Sequence, residues 1–396
     1  MEEGSLAVFH AATPVINTRD QFHRYQQNSN FYYLTGIETP GAALILHPEN
    51  RKGRIASLFI PKPDASREVW EGKMTDKEEA GEISGVEDVR YIKDFEGAFL
   101  KAQSGREIVY VDYEDTGLSY PTSGHTGFID KVHRSLPGLQ LRKAGLILSS
   151  LRRKKSAEEV NMIREAIDIT REALMALWDD VHSGKYEYEL EATLAYHFLR
   201  RRARQYAYDP IIASGENTTV LHYVKNNRRL EDGDLLLTDV GAQYDHYCAD
   251  ITRTIPVNGR YSPRQQEIYQ AVLDVQKSVI RQVRPGVSFA ELKETGKELI
   301  GETLMDLELI GAMDETSEYY MHSIGHLLGL DTHDVGDLEA PLEPGNVLTT
   351  EPGIYIREEG LGVRIEDDLL VTEDGCEVLS KAIPKEIGEI ERALQG

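Results

Sequence analysis

Short apolar runs broken by turn residues mark the first third of the chain: "FYYLTG" (31–36), "GAALILHP" (41–48), "RIASLFIPKP" (54–63) and "EIVYVD" (107–112). Their length and β-branched or aromatic content read as strands, with polar helical stretches between them, which predicts a small α/β domain. Near Gly145 the run "LILSSLRRKKSAEEV" reads as a strand crossing into a helix. We place the domain boundary there, giving an amino-terminal domain over 1–148 and a second over 149–396.

Helix starts are unusually legible beyond that point. Ser156 with Glu159, Ser262 with Gln265 behind Pro263, and Ser288 with Glu291 each fit the reciprocal capping box, in which each side chain satisfies the other's free backbone amide. Three long helices are predicted. Strand patterns lie between and after them, in "DLLLTDVG", "DITRTIPV", "GNVLTTEPGIYI" and "GLGVRIEDDLLVTEDG". Strands and helices in separate blocks make the second domain α+β.

Charge narrows the function. With 67 acidic against 44 basic residues the net charge is −23, a field that repels phosphate backbones and anionic lipid headgroups. Neither nucleic acid nor membrane is an expected partner. The basic runs Arg152–Lys155 and Arg200–Arg204 read as solvated helix faces. Cys248 and Cys376 offer no disulfide framework, and the amino end lacks the pattern of a signal peptide, so the expected setting is the cytoplasm.

Four acids stand where apolar strands should exclude them. Asp239 follows Leu235, Leu236, Leu237 and Thr238; Asp250 precedes an alternating run; Glu351 follows Val347 to Thr350; Glu366 follows Val363 and Ile365. Any one of these could be a strand-end residue or an arginine's partner. Together they need more countercharge than Arg253 and Arg364 supply, and a pair of divalent ions would match them. Alternation puts Arg364, Glu366 and Asp368 on one face of their strand and Val363, Ile365 and Asp367 on the other.

The stretch "MHSIGHLLGLDTHD" (321–334) adds His322, His326 and His333. A single-zinc metzincin site does not fit it. Ser323 stands where that motif needs its glutamate, and Thr332 where it needs the third histidine. Asp239, Asp250, His326, Glu351 and Glu366 would instead give an oxygen-rich site with one imidazole, a donor set that suits manganese.

That set, on "LLLTDVG", "CADITRT", "HSIGHLLGLD", "TTEPGIY" and "GVRIEDD", resembles the dimetal ligands of the pita-bread metallopeptidases, the family of aminopeptidase P, prolidase and methionine aminopeptidase. "LHY" at His222, "MH" at His322 and "DTHD" at His333 resemble the aminopeptidase P and prolidase branch. "QQNSNFYYLTGIETPGAALIL" and "REVWEG" resemble the amino-terminal (creatinase/aminopeptidase P-like) domain of bacterial-type aminopeptidase P. Asn30 stands where that pattern often has an aspartate near the substrate amine.

The resemblance implies curved antiparallel sheets with flanking helices in the catalytic domain, and two divalent ions per subunit, manganese (Mn2+) in first place. Asp250 and Glu366 would bridge the ions, Asp239 would complete one, and His326 with Glu351 the other, with a hydroxide between the ions attacking the scissile carbonyl. Glu351 would also shuttle the proton. His322 and His333 would steady the substrate and the developing oxyanion, and His222 would line the proline side. Arg364 would tie the substrate or hold Glu366, with Tyr355 beside it. Trp70 would wall the pocket, contributed by a neighbouring subunit, or else fill a core as an ordinary tryptophan. The implied activity is an Xaa-Pro aminopeptidase acting on peptides with proline second, in a homodimer or homotetramer. A dipeptidase (prolidase) and a non-catalytic peptide-binding relative are the alternatives.

Overall fold

Two stretches of chain each fold on themselves, residues 1–151 and 152–396. The computed structural model describes residues 1–2, 4–47, 55–113 and 125–395. The expected boundary after residue 148 lies inside the helix Gly145–Arg153.

The first unit is built on a mixed sheet with strand order Val89–Tyr91, Ala56–Ile60, Ala43–Leu46, Leu6–His10, Ile108–Val111 and Gln140–Lys143. Its strands read as continuous apolar runs because both faces are covered. Leu44, Leu58 and Tyr110 pack on one side, and Ile45, Phe59 and Val109 on the other. Residues 48 and 54, the ends of two of the predicted strand runs, lie outside the described residues.

Two predicted strands are helices. "FYYLTG" lies in the helix Ser29–Thr35 because its ends decide: Asn28 accepts from the Phe31 amide, and Gly36 closes the helix in the left-handed conformation. These caps override the β preference of three aromatic residues. "LILSSLRR" is likewise helical, over Gly145–Arg153, with Leu148 buried and Leu146 turned to solvent.

All three capping boxes form, at the starts of the helices Ala157–Asp179, Pro263–Ile280 and Phe289–Asp306. A fourth long helix, Glu187–Arg200, starts after Tyr186, and the side chain of Glu189 accepts from the Tyr186 amide. These helices cover antiparallel sheets. In one, Leu235–Val240 runs between Ile211–Ser214 and Ile251–Pro256, with Asp239 opposite both Ile211 and Thr252. In another, Asp367–Val371 runs between Val347–Thr350 and Cys376–Val378. Gly353–Ile356 pairs with Leu361–Arg364. One large apolar core joins these strands to the helices, from Ile169 to Ile390.

The basic run Arg152–Lys155 is not a solvated face: Arg152, Arg153 and Lys155 are all buried. In the second run, Arg200 and Arg204 are exposed, and Arg201 pairs with Glu165, Asp168 and Glu172. Among the described residues no helix is long and apolar enough to cross a membrane.

Candidate metal centre

The four acids and the imidazole singled out above come together by different routes. Asp239 comes from the middle strand of its sheet, where its neighbours Thr238 and Val240 are fully buried. Asp250 immediately precedes the adjoining strand. The backbone amide of Glu366 donates to the Thr252 carbonyl, so the two segments hold Asp250 and Glu366 side by side. His326 is carried on a loop that pairs with the strand leading to Glu351. The Thr349 amide donates to the His326 carbonyl (2.8 Å), the Glu351 amide to the Ile324 carbonyl (2.8 Å), and the His326 amide to Thr349 Oγ1 (3.1 Å). Gly325 makes this approach possible, since a Cβ there would sit 2.3 Å from the Thr349 carbonyl oxygen.

Donor atoms of Asp250, His326 and Glu366 all lie within 4.8 Å of one another. His326 Nε2 is 3.2 Å from Asp250 Oδ2 and 3.5 Å from Glu351 Oε1. The other ring nitrogen, Nδ1, donates to the Leu327 carbonyl (3.0 Å), which fixes the tautomer and leaves the Nε2 lone pair facing the carboxylates. That is the state a metal-binding imidazole needs.

The countercharge is short. Arg364 donates to Asp239 Oδ2 (2.5 Å), not to Glu366. It reaches Glu366 only through Thr252, whose Oγ1 accepts from Arg364 Nε (3.3 Å) and donates to Glu366 Oε2 (2.7 Å). Arg253 serves elsewhere, paired with Asp367 at 2.8 Å and donating to the Thr252, Glu366, Ile383 and Pro384 carbonyls. The alternation read from the sequence therefore holds: Glu366 faces the cleft and Asp367 the opposite side.

Three of these four carboxyl groups, Asp250, Glu351 and Glu366, are left without an arginine or lysine of their own. Burial, then the charges of Asp239 and Glu351, hold Asp250 well above the usual carboxylate range. Burial and the neighbours Asp250 and Asp239 do the same for Glu366, and burial with Glu366 does so for Glu351. Glu366 Oε1 is buried with no hydrogen-bond partner among the described residues. Buried acids in this condition are costly unless cations join them, and hard divalent ions match the donor set. The residues present thus fit the metal pair.

The supporting side chains form a relay. Arg364 Nη1 donates to Tyr355 Oη (2.9 Å), Tyr355 Oη donates to His322 Nε2 (2.8 Å), and His322 Nδ1 donates to the Ser323 carbonyl (2.8 Å). Burial, then Arg364, pull the His322 imidazole down to about 3, so it is neutral at physiological pH. Burial pushes Tyr355 up to about 12 against the pull of Arg364. His333 lies edge to face on His326, ring centres 4.3 Å apart, and its pKa is lowered by burial and by His326 and His222. His222 is on an exposed loop.

Trp70 lies in the first unit, on the short helix Ala65–Glu71, and is 88% exposed, so it fills no core. Asn30 donates to Asp112 Oδ1 (2.9 Å), both within the first unit. One residue escaped the sequence reading altogether. Tyr208 Oη contacts both Asp239 Oδ1 and Asp250 Oδ1, the latter at 2.5 Å. Nothing in "QYAYDP" distinguishes it from the other tyrosines, because its partners come from strands far along the chain.

Residues 161–373 match the model of metallopeptidase family M24, and residues 1–110 match that of the aminopeptidase P N-terminal domain. The chain belongs to metallopeptidase family M24. It is 34% identical to the Xaa-Pro aminopeptidase of Escherichia coli strain K12 over 100% of this chain and 94% of the relative. The structure of a putative aminopeptidase P from Bacillus anthracis superimposes with a TM-score of 0.96 at 37% identity, covering 100% of this chain and 95% of that one. E. coli aminopeptidase P with the inhibitor Pro-Leu gives 0.90 at 33% identity, with the same coverage. The two-part α+β architecture of this M24 chain is that of the aminopeptidase P structures.

Proposed function

We propose that this chain is a manganese-dependent Xaa-Pro aminopeptidase, releasing the first residue of peptides that carry proline second. One observation carries the reading. Asp250, His326 and Glu366 bring donor atoms within 4.8 Å of one another, Glu351 lies beside His326, and the neighbouring Asp239 takes the arginine, Arg364. The names of the relatives supply the substrate class, and an oxygen-rich donor set supports manganese.

Two divalent ions, when bound, supply the Lewis acidity that polarises the scissile carbonyl and brings a water's pKa near neutrality. Asp239, Asp250, His326, Glu351 and Glu366 would hold the ions. Glu351 is the proton carrier: burial, then the neighbouring Glu366, raise its carboxyl above the usual carboxylate range, which favours a carboxyl that takes and returns a proton. The leaving nitrogen of an Xaa-Pro bond is proline's own, a tertiary amide nitrogen without a hydrogen, and it needs a proton from such a group to leave as the amine.

His322 has both ring nitrogens engaged and so serves by holding Tyr355 and Arg364 in place, which in turn orient Asp239. His333 makes no hydrogen bond among the described residues and is left to meet the substrate carbonyl, with His222 on the proline side. A homo-oligomer in the cytoplasm, with Trp70 of one subunit reaching another, completes the reading.

The test is cleavage of an Xaa-Pro-Xaa peptide series, with and without added manganese, against Asp250→Ala and Glu351→Ala. Release of the first residue that both substitutions abolish is the expected result. Activity confined to Xaa-Pro dipeptides would make it a prolidase, and no manganese uptake at all would make it a binding protein.

A further inference from the structure

The basic run that sequence patterning assigns to a solvated helix face is instead packed against the loop that carries His333. The side chains of Arg152, Lys155 and Asp334 are 2%, 1% and 1% exposed. Arg152 Nη2 donates to Asp331 Oδ2 (2.7 Å) and also to Asp334 Oδ1, while Lys155 Nζ donates to Asp334 Oδ2 (2.9 Å). One carboxylate thus accepts from two cations, and a single arginine nitrogen, Nη2, donates to both aspartates of "DTHD". His333 stands between those two anchored residues.

The rest of the loop is tied down with the same economy. The Asp334 amide donates to the Leu327 carbonyl (2.8 Å), closing the loop onto the residue after His326. The Cys248 amide donates to the Gly329 carbonyl (2.8 Å), and Thr332 Oγ1 to the Ala207 carbonyl (3.1 Å). Gly329 leaves the space that the clamp occupies: a Cβ there would stand 2.2 Å from Asp334 Oδ2 and 2.9 Å from Lys155 Cε.

A buried ion cluster is a poor way to gain stability, since an apolar group of equal volume commonly does as well. What it does supply is a fixed place, because Asp334 takes Arg152 on one oxygen and Lys155 on the other while the same arginine nitrogen also holds Asp331. We propose that Arg152 and Lys155, through Asp331 and Asp334, are positioning residues that set the His333 ring against His326 for the reaction. This rests on the reading of His333 as a substrate-contacting group.

The experiment compares Asp331→Asn, Asp334→Asn, His333→Ala and the double variants on an Xaa-Pro-Xaa peptide, with manganese content and circular dichroism measured on each. The clamp variants should lower kcat by about 10- to 100-fold, the scale of a misplacement near 1 Å. Their manganese content should be unchanged, and they should cost nothing further once His333 is alanine. Should Asp334→Asn fail to fold, Asp331→Asn carries the comparison, its side chain being 44% exposed.

Folded clamp variants with full kcat, losses that multiply in the His333→Ala background, or losses that track lost manganese would each overturn the clamp alone. Full activity in His333→Ala would overturn the role of His333 itself, and the inference with it.

Discussion

Stripping the metal from this protein should expose a pH-dependent instability that manganese repairs. Without ions, Asp250, Glu351 and Glu366 have pKa values raised above those of the unfolded chain. An acid raised in the folded state binds its proton more tightly there. Its penalty is therefore absent below the unfolded pKa near 4 and grows as pH rises through the folded value. Each unit of displacement costs about 1.4 kcal/mol once the pH is above both values. A divalent ion, manganese on the proposed reading, would remove the penalty by taking the place of the protons. At a concentration about 100-fold above its Kd, one ion stabilises the fold by about 2.7 kcal/mol, and two by about 5 kcal/mol. For a unit of this size about 2–4 °C accompanies each kcal/mol, so saturation at pH 8 should raise Tm by about 10–20 °C. Calorimetry of chelator-treated protein with and without manganese, from pH 5.5 to 8.5, measures this directly. The increment should widen with pH. An increment that is constant across this range, or largest at pH 5.5, would refute the claim that uncompensated carboxylates create the site.

Three substitutions test the surroundings of the site. Arg253→Met leaves the fully buried Asp367 carboxylate to Lys385 and takes the donor from the Thr252, Glu366, Ile383 and Pro384 carbonyls; urea unfolding should show a loss of about 3–5 kcal/mol. Tyr208→Phe removes the hydroxyl that orients Asp239 and Asp250. Titration calorimetry should find manganese affinity about 10- to 100-fold weaker, the usual effect of losing an outer partner of a metal ligand. Gly325→Ala drives a methyl group against the Thr349 carbonyl. Thermal denaturation should show a cost of about 1–3 kcal/mol, and kcat should fall because His326 is carried on the displaced loop.

Much of the second unit was legible because its signals are local. A capping box is complete within residues i to i+3, so Ser156, Ser262 and Ser288 announced their helices without any tertiary partner. Acids interrupting apolar strands stood out for a related reason, since a buried carboxylate requires compensation wherever the chain runs. The first unit was harder. "FYYLTG" carries strand-forming residues but is closed by caps at Asn28 and Gly36, and the balance between short-range preferences is too fine for pattern alone.

By itself the sequence marked which residue types had to be compensated: four acids set in apolar strands, with a histidine cluster upstream of two of them, ask for a cation. Only the tertiary structure decided how the remaining charges were shared. It gave Arg364 to Asp239 and Arg253 to Asp367, brought Tyr208 between two aspartates, and buried Arg152 and Lys155 beneath the His333 loop. The reason is distance along the chain. Helix caps and strand alternation are set by neighbours in sequence. The partner of a buried charge is set by which strand or loop packs against it, and here Lys155 meets Asp334 and Arg253 meets Asp367 across more than a hundred intervening residues.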